Sequence, residues 1–192
     1  MNACWYISTP PTTDPVTAAE LRAALKITDS SFDSTTIDRL VPAATRVVED
    51  DLDRSLITRT ITGKLDRWPS GGIIYLPKPP FVSITSLSYI DTDGDPVTLT
   101  ENTHYEFKNS GDSGRLVVAP GTSWPSVKSD KKEVITIVYT AGYGAASDVP
   151  ADIKQAIIAL ASKMYNPAMD DYLYKVSIGL NRAPQFNYHI ND

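Results

Sequence analysis

The sequence predicts an α+β fold in which N-terminal and C-terminal helices form a small helical unit, with an antiparallel β-sandwich or barrel-like insertion and an extended C-terminal tail. Two observations carry this prediction. Apolar residues recur at helical spacing before residue 56 and again after residue 148. Between these segments the apolar residues alternate with period two, are often β-branched, and are separated by glycine, proline, asparagine and aspartate.

These patterns divide the chain into five parts, and its 192 residues suffice for one buried core with extensions. The parts are an N-terminal extension (1–16), a helical part (17–56), the β insertion (57–147), a helix completing the helical part (148–165), and a C-terminal tail or arm (166–192).

Two helices are expected in the first helical part. Thr17 and Glu20 have the spacing of a capping box, in which each satisfies a free backbone N–H, so a short helix is predicted over 18–26. A second helix is predicted by apolar residues that share one face at a period of 3.6. Those residues are Ile37, Leu40, Val41, Ala44, Val47, Val48 and Leu52. Pro42 lies inside this helix and is expected to kink or split it.

Seven short segments are predicted to be strands. They are ITRTITGKLDRW, GGIIYLPKPP, FVSITSLSYI, PVTLT, HYEFKN, RLVVA and EVITIVYT. Their turn-rich connections are typical of a sandwich or small barrel. Two Trp-Pro pairs, at Trp68 and Trp124, each follow a strand or turn and are expected to cover the open ends of the sheet.

A third helix is predicted after the sheet. Asp148 is expected to cap it, Pro150 suits its first turn, and an apolar stripe runs to Asn166-Pro167. The preceding YTAGYGAASDVP has the strand, Gly-x-Gly and helix order of a dinucleotide-binding loop but lacks the third glycine. We therefore interpret its glycines as the residues that let the backbone turn sharply from sheet to helix.

The segment GDSGRLVV, residues 111–118, matches the start of the nucleophile segment of trypsin-like proteases, which makes Ser113 a candidate nucleophile. A nucleophilic serine requires a base within hydrogen-bonding reach. His104 is predicted to lie well over 10 Å away, at ~3.3 Å per residue of strand, and His189 is the fourth residue from the end, in the C-terminal tail. The segment is therefore interpreted as a hairpin connection, and no catalytic residue is predicted.

Asp91, Asp93 and Asp95 suggest a calcium loop, but Gly94 and Asn102 occupy the wrong positions for an EF-hand. Asp-Gly between two strands is instead a strong hairpin signal. No metal site or cofactor is expected.

An acidic cluster at the end of the second helix is a candidate patch that faces a partner or a bore. It consists of Glu49, Asp50, Asp51 and Asp53. Successive helical positions diverge by about 100°, so all four carboxylates cannot converge on one ion. A solvated face with Asp50 paired to Arg46 and Arg54 is the leading alternative.

Composition restricts the class of protein. A net charge of −5 disfavours a protein that wraps nucleic acid tightly, although DNA can still pass through a channel. The most apolar run has six residues, against roughly 20 for a membrane span, so no membrane association is expected. The N-terminus lacks the features of a secretion signal, and a single cysteine, Cys4, allows neither an internal disulfide nor a thiolate zinc site.

The tail over 166–192 lacks periodicity but is too apolar for solvated disorder. It is predicted to be an arm whose apolar residues anchor on a partner, and covering the last helix of its own chain is nearly as good an alternative. The candidate anchors are Tyr172, Leu173, Tyr174, Val176, Ile178, Leu180, Phe186 and Tyr188.

Four stretches, in this order, resemble the head–tail connector, or adaptor, proteins of long-tailed bacteriophages. They are PVTAAELRAALKI, IDRLVPAATRVVEDDLDRSLI, LDRWPSGGIIYLPKPPFVSITSLSYIDTDGD and VITIVYTAGYGAASDVPADIKQAIIALASKMY, which together span roughly residues 15–165. The last stretch is the most specific. The second helix of such proteins usually continues into a Gly-Arg turn, whereas this chain has Asp53 before Arg54.

The resemblance implies a structural virion protein of the neck, made in the host cytoplasm and without enzymatic activity. It implies a ring of twelve copies, a dodecamer, that binds the portal protein above and a stopper or tail-completion protein below, with DNA passing through the bore without sequence-specific binding. The alternative of a different class is a stand-alone β-sandwich binding module with helical appendages. Assembly state discriminates the two, because a connector forms rings with its portal.

Overall fold

A computed structural model describes residues 3–29, 33–168 and 172–182 of the chain. Within these ranges the protein combines helices with two antiparallel sheets, which confirms the predicted α+β class. The strands are β1 (Ala3–Thr9), β2 (Arg59–Leu65), β3 (Ile73–Leu76), β4 (Phe81–Ile90), β5 (Pro96–Leu99), β6 (Tyr105–Ser110), β7 (Ser113–Val118) and β8 (Ile135–Ala141). The helices are α1 (Ala18–Ala24), α2 (Ser34–Leu52), α3 (Ala151–Tyr165) and α4 (Tyr172–Asn181).

The described residues form two compact units. One, the β unit, contains residues 3–10 and 59–142, and the other, the helical unit, contains residues 11–58 and 143–182. None of the helices in the described part of the chain has the length and apolar character needed to cross a membrane.

The β unit is a sandwich of two sheets that share one apolar core. The larger sheet has the strand order β1-β2-β8-β4-β5 and the smaller one β3-β7-β6. Leu65, Ile137 and Tyr139 of the larger sheet pack in the same buried cluster as Leu116 of the smaller sheet. The Tyr139 hydroxyl donates to the Pro77 carbonyl at 2.6 Å, so the one polar atom of this buried ring is satisfied.

All seven predicted strands form, and β1 is an eighth strand that the sequence patterns did not reveal. β1 pairs antiparallel with β2, and most of its side chains are exposed, so it has no clean alternation of apolar and polar residues. The Trp5 side chain packs β1 against the core. Its ring lies over Gly63, where a Cβ would fall 2.2 Å from the indole, and meets Tyr139 edge to face at 5.9 Å.

The two Trp-Pro pairs lie together, not at separate ends of the sheet. The rings of Trp68 and Trp124 stack in parallel with centroids 4.4 Å apart, and Trp68 also meets Tyr89 edge to face. The Trp68 indole N–H donates to the Pro125 carbonyl at 2.8 Å. The stacked rings therefore pack against the sandwich core. Because they contact each other directly, a ligand cannot bind between them.

The first part of the helical unit follows the predictions closely. The capping box is present, because Thr17 Oγ1 accepts from Glu20 N at 3.2 Å and the Glu20 carboxylate accepts from Thr17 N at 2.6 Å. The backbone N–H of Thr17 and the Thr17 hydroxyl hold the pKa of Glu20 below its usual range. α2 continues through Pro42 as one helix and is not split there, since Pro42 is on the exposed side while the buried side keeps its apolar contacts.

The start of α3 differs from the prediction. Asp148 does not cap α3. It ends a short 3-10 turn (Ala146–Asp148), and its carboxylate accepts from Ala145 N at 2.8 Å. Gly144, with φ of 134°, passes so close that a Cβ there would lie 2.4 Å from this carboxylate. The sheet-to-helix turn therefore requires glycine at this position, because φ is positive and because the Asp148 carboxylate leaves no room for a side chain.

Candidate interaction surfaces

The first surface is built on α4, in the segment that was predicted to lack periodicity. Residues 172–181 form a helix, so the prediction of an aperiodic tail was wrong for this part. The reason is visible in the spacing of the exposed and buried residues. Tyr174, Ser177, Ile178 and Asn181 lie on one side of the helix, three or four positions apart, which is the spacing of a helical face.

The inner side of α4 packs against the rest of the helical unit. Tyr174 and Ile178 contact the apolar cluster formed by α2 and α3, and Ser177 is fully buried. Two of the candidate anchors therefore cover helices of their own chain, as the alternative interpretation of the tail proposed.

Polar contacts hold both ends of α4. The Tyr174 hydroxyl donates to the Asp51 carboxylate near the end of α2. Arg54, which is buried, donates from Nε to the Asn181 carbonyl at 2.5 Å. The Asn181 amide donates to the Asp152 carboxylate of α3, also at 2.5 Å. Hydrogen bonds that include a charged group are the stronger kind, so these three contacts fix the helix in orientation.

The candidate acidic patch is brought into this arrangement only in part. Asp51 accepts from Tyr174, and the Glu49 carboxylate accepts from Leu56 N at 2.9 Å, which satisfies backbone just beyond the helix. Asp53 ends α2 with a left-handed backbone, φ 53° and ψ 40°. Asp50 is the exposed member of the four, and its carboxylate lies 4.0 Å from the Arg46 guanidinium.

The outer side of α4 presents an apolar stripe to solvent. Tyr172, Val176 and Leu180 are spaced four residues apart and therefore lie on one face. Their exposed fractions are 64%, 39% and 76%, large values for apolar residues. Of the remaining candidate anchors, Phe186, Tyr188 and the side chain of Leu173 lie outside the part of the chain that the structure describes.

The second surface is the outer edge of β1, which sequence reasoning missed. Within the described residues β1 pairs with β2 alone, so it ends the larger sheet. Tyr6 and Ile7 are about half exposed, at 48% and 49%. A usable signal was present in the sequence, because ACWYIST is uncharged and rich in aromatic and β-branched residues.

The serine in the GDSG segment lies in a two-residue hairpin, as predicted. Ser110 pairs with Ser113 across Gly111 and Asp112, and Gly111 has φ of 67°. His104 hydrogen-bonds to Ala119 at the other end of the hairpin. Six residues of strand separate Ala119 from Ser113, about 20 Å, and the His104 Nδ1 accepts from Thr100 N. These positions do not bring a base to Ser113.

The acidic segment over 91–95 is also a turn, as predicted. Asp91 Oδ1 accepts three backbone N–H groups, from Asp93, Gly94 and Asp95, at 2.9 to 3.0 Å. These bonds, that of Asp95 first, lower the pKa of Asp91. In the described ranges no group of three or more His, Cys, Asp or Glu side chains is placed to hold a metal ion.

Solved structures of gene transfer agent particles contain chains of the same fold. A chain from the virion of the native particle is 21% identical to this protein and superposes on it with a TM-score of 0.77. The match covers 95% of this protein and 96% of that chain. A chain from the neck of the empty particle, computed with C6 symmetry, is 22% identical with a TM-score of 0.77. A chain from the neck of the native particle, computed with C12 symmetry, is 21% identical with a TM-score of 0.75. Both neck matches cover 100% of each chain.

Among curated proteins, none matches the chain. The family model described as head completion protein matches residues 16–175. That range includes both sheets from β2 onward, the loop with Gly144, and the helices α1 to α3. Since the match covers far more than half of the 192 residues, the chain belongs to the head completion protein family.

Proposed function

We propose that this protein is a structural component of the virion neck, a head–tail connector that forms a ring beneath the portal protein. The ring has twelve copies, binds a stopper or tail-completion protein on its other side, and lets DNA pass through its bore. The protein has no enzymatic role in this proposal and acts by filling a fixed place in the particle.

The observation that carries this proposal is the agreement of family and fold over nearly the whole chain. A head completion family model matches residues 16–175, and chains from particle necks share the fold over their full length. One of these necks was computed with C12 symmetry, which supports the proposed number of copies. The net charge of −5 suits a bore through which DNA slides, because like-charged walls do not grip phosphates.

The apolar stripe on α4 supports a finer proposal, that α4 is the start of the arm that binds the portal. Tyr172 and Leu180 are exposed while the opposite side of the helix is held by Asp51, Arg54 and Asp152. An apolar stripe on a helix that is already positioned can bind a groove without the full cost of ordering a disordered segment.

The experiment is to mix the full chain with its portal protein and to examine the complexes by electron microscopy and native mass spectrometry. Twelve-membered rings on the portal are expected. A chain that stays monomeric and does not bind the portal contradicts the connector, and favours the stand-alone binding module.

The arm is tested with Leu180→Asp, which places a charge in the stripe, beside Val82→Asp, which places the same charge on an exposed aliphatic position of β4. We expect at least a tenfold loss of portal affinity for the first variant and no change for the second, with the helical circular dichroism signal retained in both. Equal affinities for the portal in the two variants contradict the role of the stripe.

A further inference from the structure

The outer edge of β1 lacks the features by which proteins block strand pairing at a sheet edge. Exposed edges are usually kept short, or carry charges or proline. The other edges in the described part of the sandwich do so. β5 has four residues and begins with Pro96, β3 has four and is followed by Pro77, and β6 carries the Glu106–Lys108 ion pair. β1 has seven residues and contains neither a charge nor a proline.

The two faces of β1 differ in a way that suits a further strand. Trp5 faces the core, and by alternation Ile7 lies on the same face, where it is 49% exposed because no strand among the described residues lies beyond it. Cys4, Tyr6 and Ser8 lie on the opposite face. A strand added at this edge would therefore need apolar residues on the core side and polar residues on the other.

The C-terminal segment has that alternation. Between residues 185 and 190, apolar and polar residues alternate strictly, which is the pattern of a strand with one buried face. The apolar set is Phe186, Tyr188 and Ile190, and the polar set is Gln185, Asn187 and His189. The segment carries no Asp, Glu, Lys or Arg, follows Pro184, and is six residues long against the seven of β1.

We infer that residues 185–190 of one copy add as a strand to the open edge of β1 in the neighbouring copy. The inference rests on the proposed ring. In a cyclic ring each copy meets the next through two different surfaces, so an open edge and a strand-forming tail make a matching pair on every copy. The backbone supplies the hydrogen bonds, and the alternating side chains set the register.

Cys4 makes the inference directly testable, because it is the one cysteine of the sequence and is exposed on β1. Residues that face each other across paired strands have Cβ atoms about 4.5 to 5.5 Å apart, near enough for a disulfide after small adjustment. Single cysteines are introduced by Gln185→Cys, Asn187→Cys or His189→Cys, on the face of Cys4. Phe186→Cys and Tyr188→Cys, on the other face, are the matched controls.

The variants are assembled with the portal, oxidised mildly and run on a non-reducing gel. We expect at least one of the first three to give a ladder of dimers and higher multimers, since each copy is joined to the next, and the two controls to give monomers. A monomer with an internal disulfide shows that the tail pairs with its own β1 and overturns the inference. The inference is also overturned if the two controls give the same ladder as the first three variants.

Ile7→Lys provides a second measurement that does not depend on disulfide geometry. The position is half exposed, so the chain should fold, and a lysine at the edge opposes strand addition. We expect at least a tenfold loss of ring formation relative to Val82→Lys on β4. Rings that form normally in Ile7→Lys contradict only this inference, whereas absence of rings in the unaltered chain contradicts the proposed connector as well.

Discussion

The β-sandwich and the last helix of the helical unit are stabilised by different kinds of contact. The sandwich buries a continuous apolar cluster drawn from both sheets, in which Leu116, Ile137 and Tyr139 are fully buried. α4 buries few side chains, is fixed by three polar contacts, and leaves Leu180 exposed. Elements with few buried apolar contacts open at lower free energy than the core. We therefore expect α4 to open first and the sandwich to act as the rigid part.

The sharpest way to break this comparison is Tyr174→Phe, which removes the hydroxyl that donates to Asp51. A hydrogen bond to a charged group contributes about 1.5–3 kcal/mol to stability. We expect faster amide hydrogen exchange across residues 172–181 by a corresponding factor, with exchange in β2 and β8 unchanged.

Tyr6→Phe is the matched control, because it removes an exposed tyrosine hydroxyl from the other unit. It should alter exchange nowhere in α4. If Tyr174→Phe slows or leaves unchanged the exchange of α4 amides, the polar contacts do not hold the helix and the proposed difference between the two regions is wrong.

The charge of Asp91 is expected to contribute to the stability of the sandwich, and this contribution should be lost at low pH. Its three backbone hydrogen bonds, with that of Asp95 the largest effect, lower its pKa from the ordinary value of 3.8. A carboxyl whose pKa is lower in the folded state contributes stability that is fully present above pH 3.8 and is lost as the pH falls through the folded value.

Asp91→Asn keeps the shape of the side chain and removes its charge. We expect the variant to melt at a lower temperature than the unaltered protein at pH 7, and the two melting temperatures to converge as the pH is lowered through the range below 3.8. A difference that persists undiminished at pH 2 would mean that the charge of Asp91 is not its cause.

The sequence was informative wherever local chemistry decided the structure. The capping box of Thr17 and Glu20, the hairpin at Gly111 and the turn at Asp91 were all predicted, because each depends on residues a few positions apart. β1 and α4 were not predicted. β1 pairs with β2, some 55 residues away, and all of its side chains except Trp5 are exposed, so no alternation marks it. α4 was missed although Tyr174, Ser177 and Ile178 have helical spacing, and its polar contacts are made with residues distant in sequence, Asp51, Arg54 and Asp152.

The smallest expected effect concerns how the two regions make their left-handed backbone positions. Two hairpins of the sandwich have glycine at positive φ, Gly94 and Gly111, although Lys78, Asn102 and Glu133 of the sandwich also adopt positive φ. The helical unit ends α2 with Asp53 at φ 53°. An L-residue in this conformation costs about 1–2 kcal/mol, less for aspartate, and a negative charge at the C-terminal end of a helix opposes its dipole. Glycine relieves both costs but loses more conformational freedom on folding, by about 0.5–1 kcal/mol.

We therefore expect Asp53→Gly to stabilise the protein by about 0.5 kcal/mol, measured by chemical denaturation at neutral pH.

The same variant tests the acidic patch, because it removes one of the four carboxylates without disturbing the contacts of Glu49 and Asp51. If Asp53 only ends the helix, ring formation with the portal will be unchanged while stability rises. If its carboxylate faces a partner, assembly will weaken in Asp53→Gly and equally in Asp53→Asn, which removes the charge but tolerates the left-handed backbone. A loss of stability in the glycine variant would instead show that the side chain of Asp53 contributes more than its backbone conformation costs.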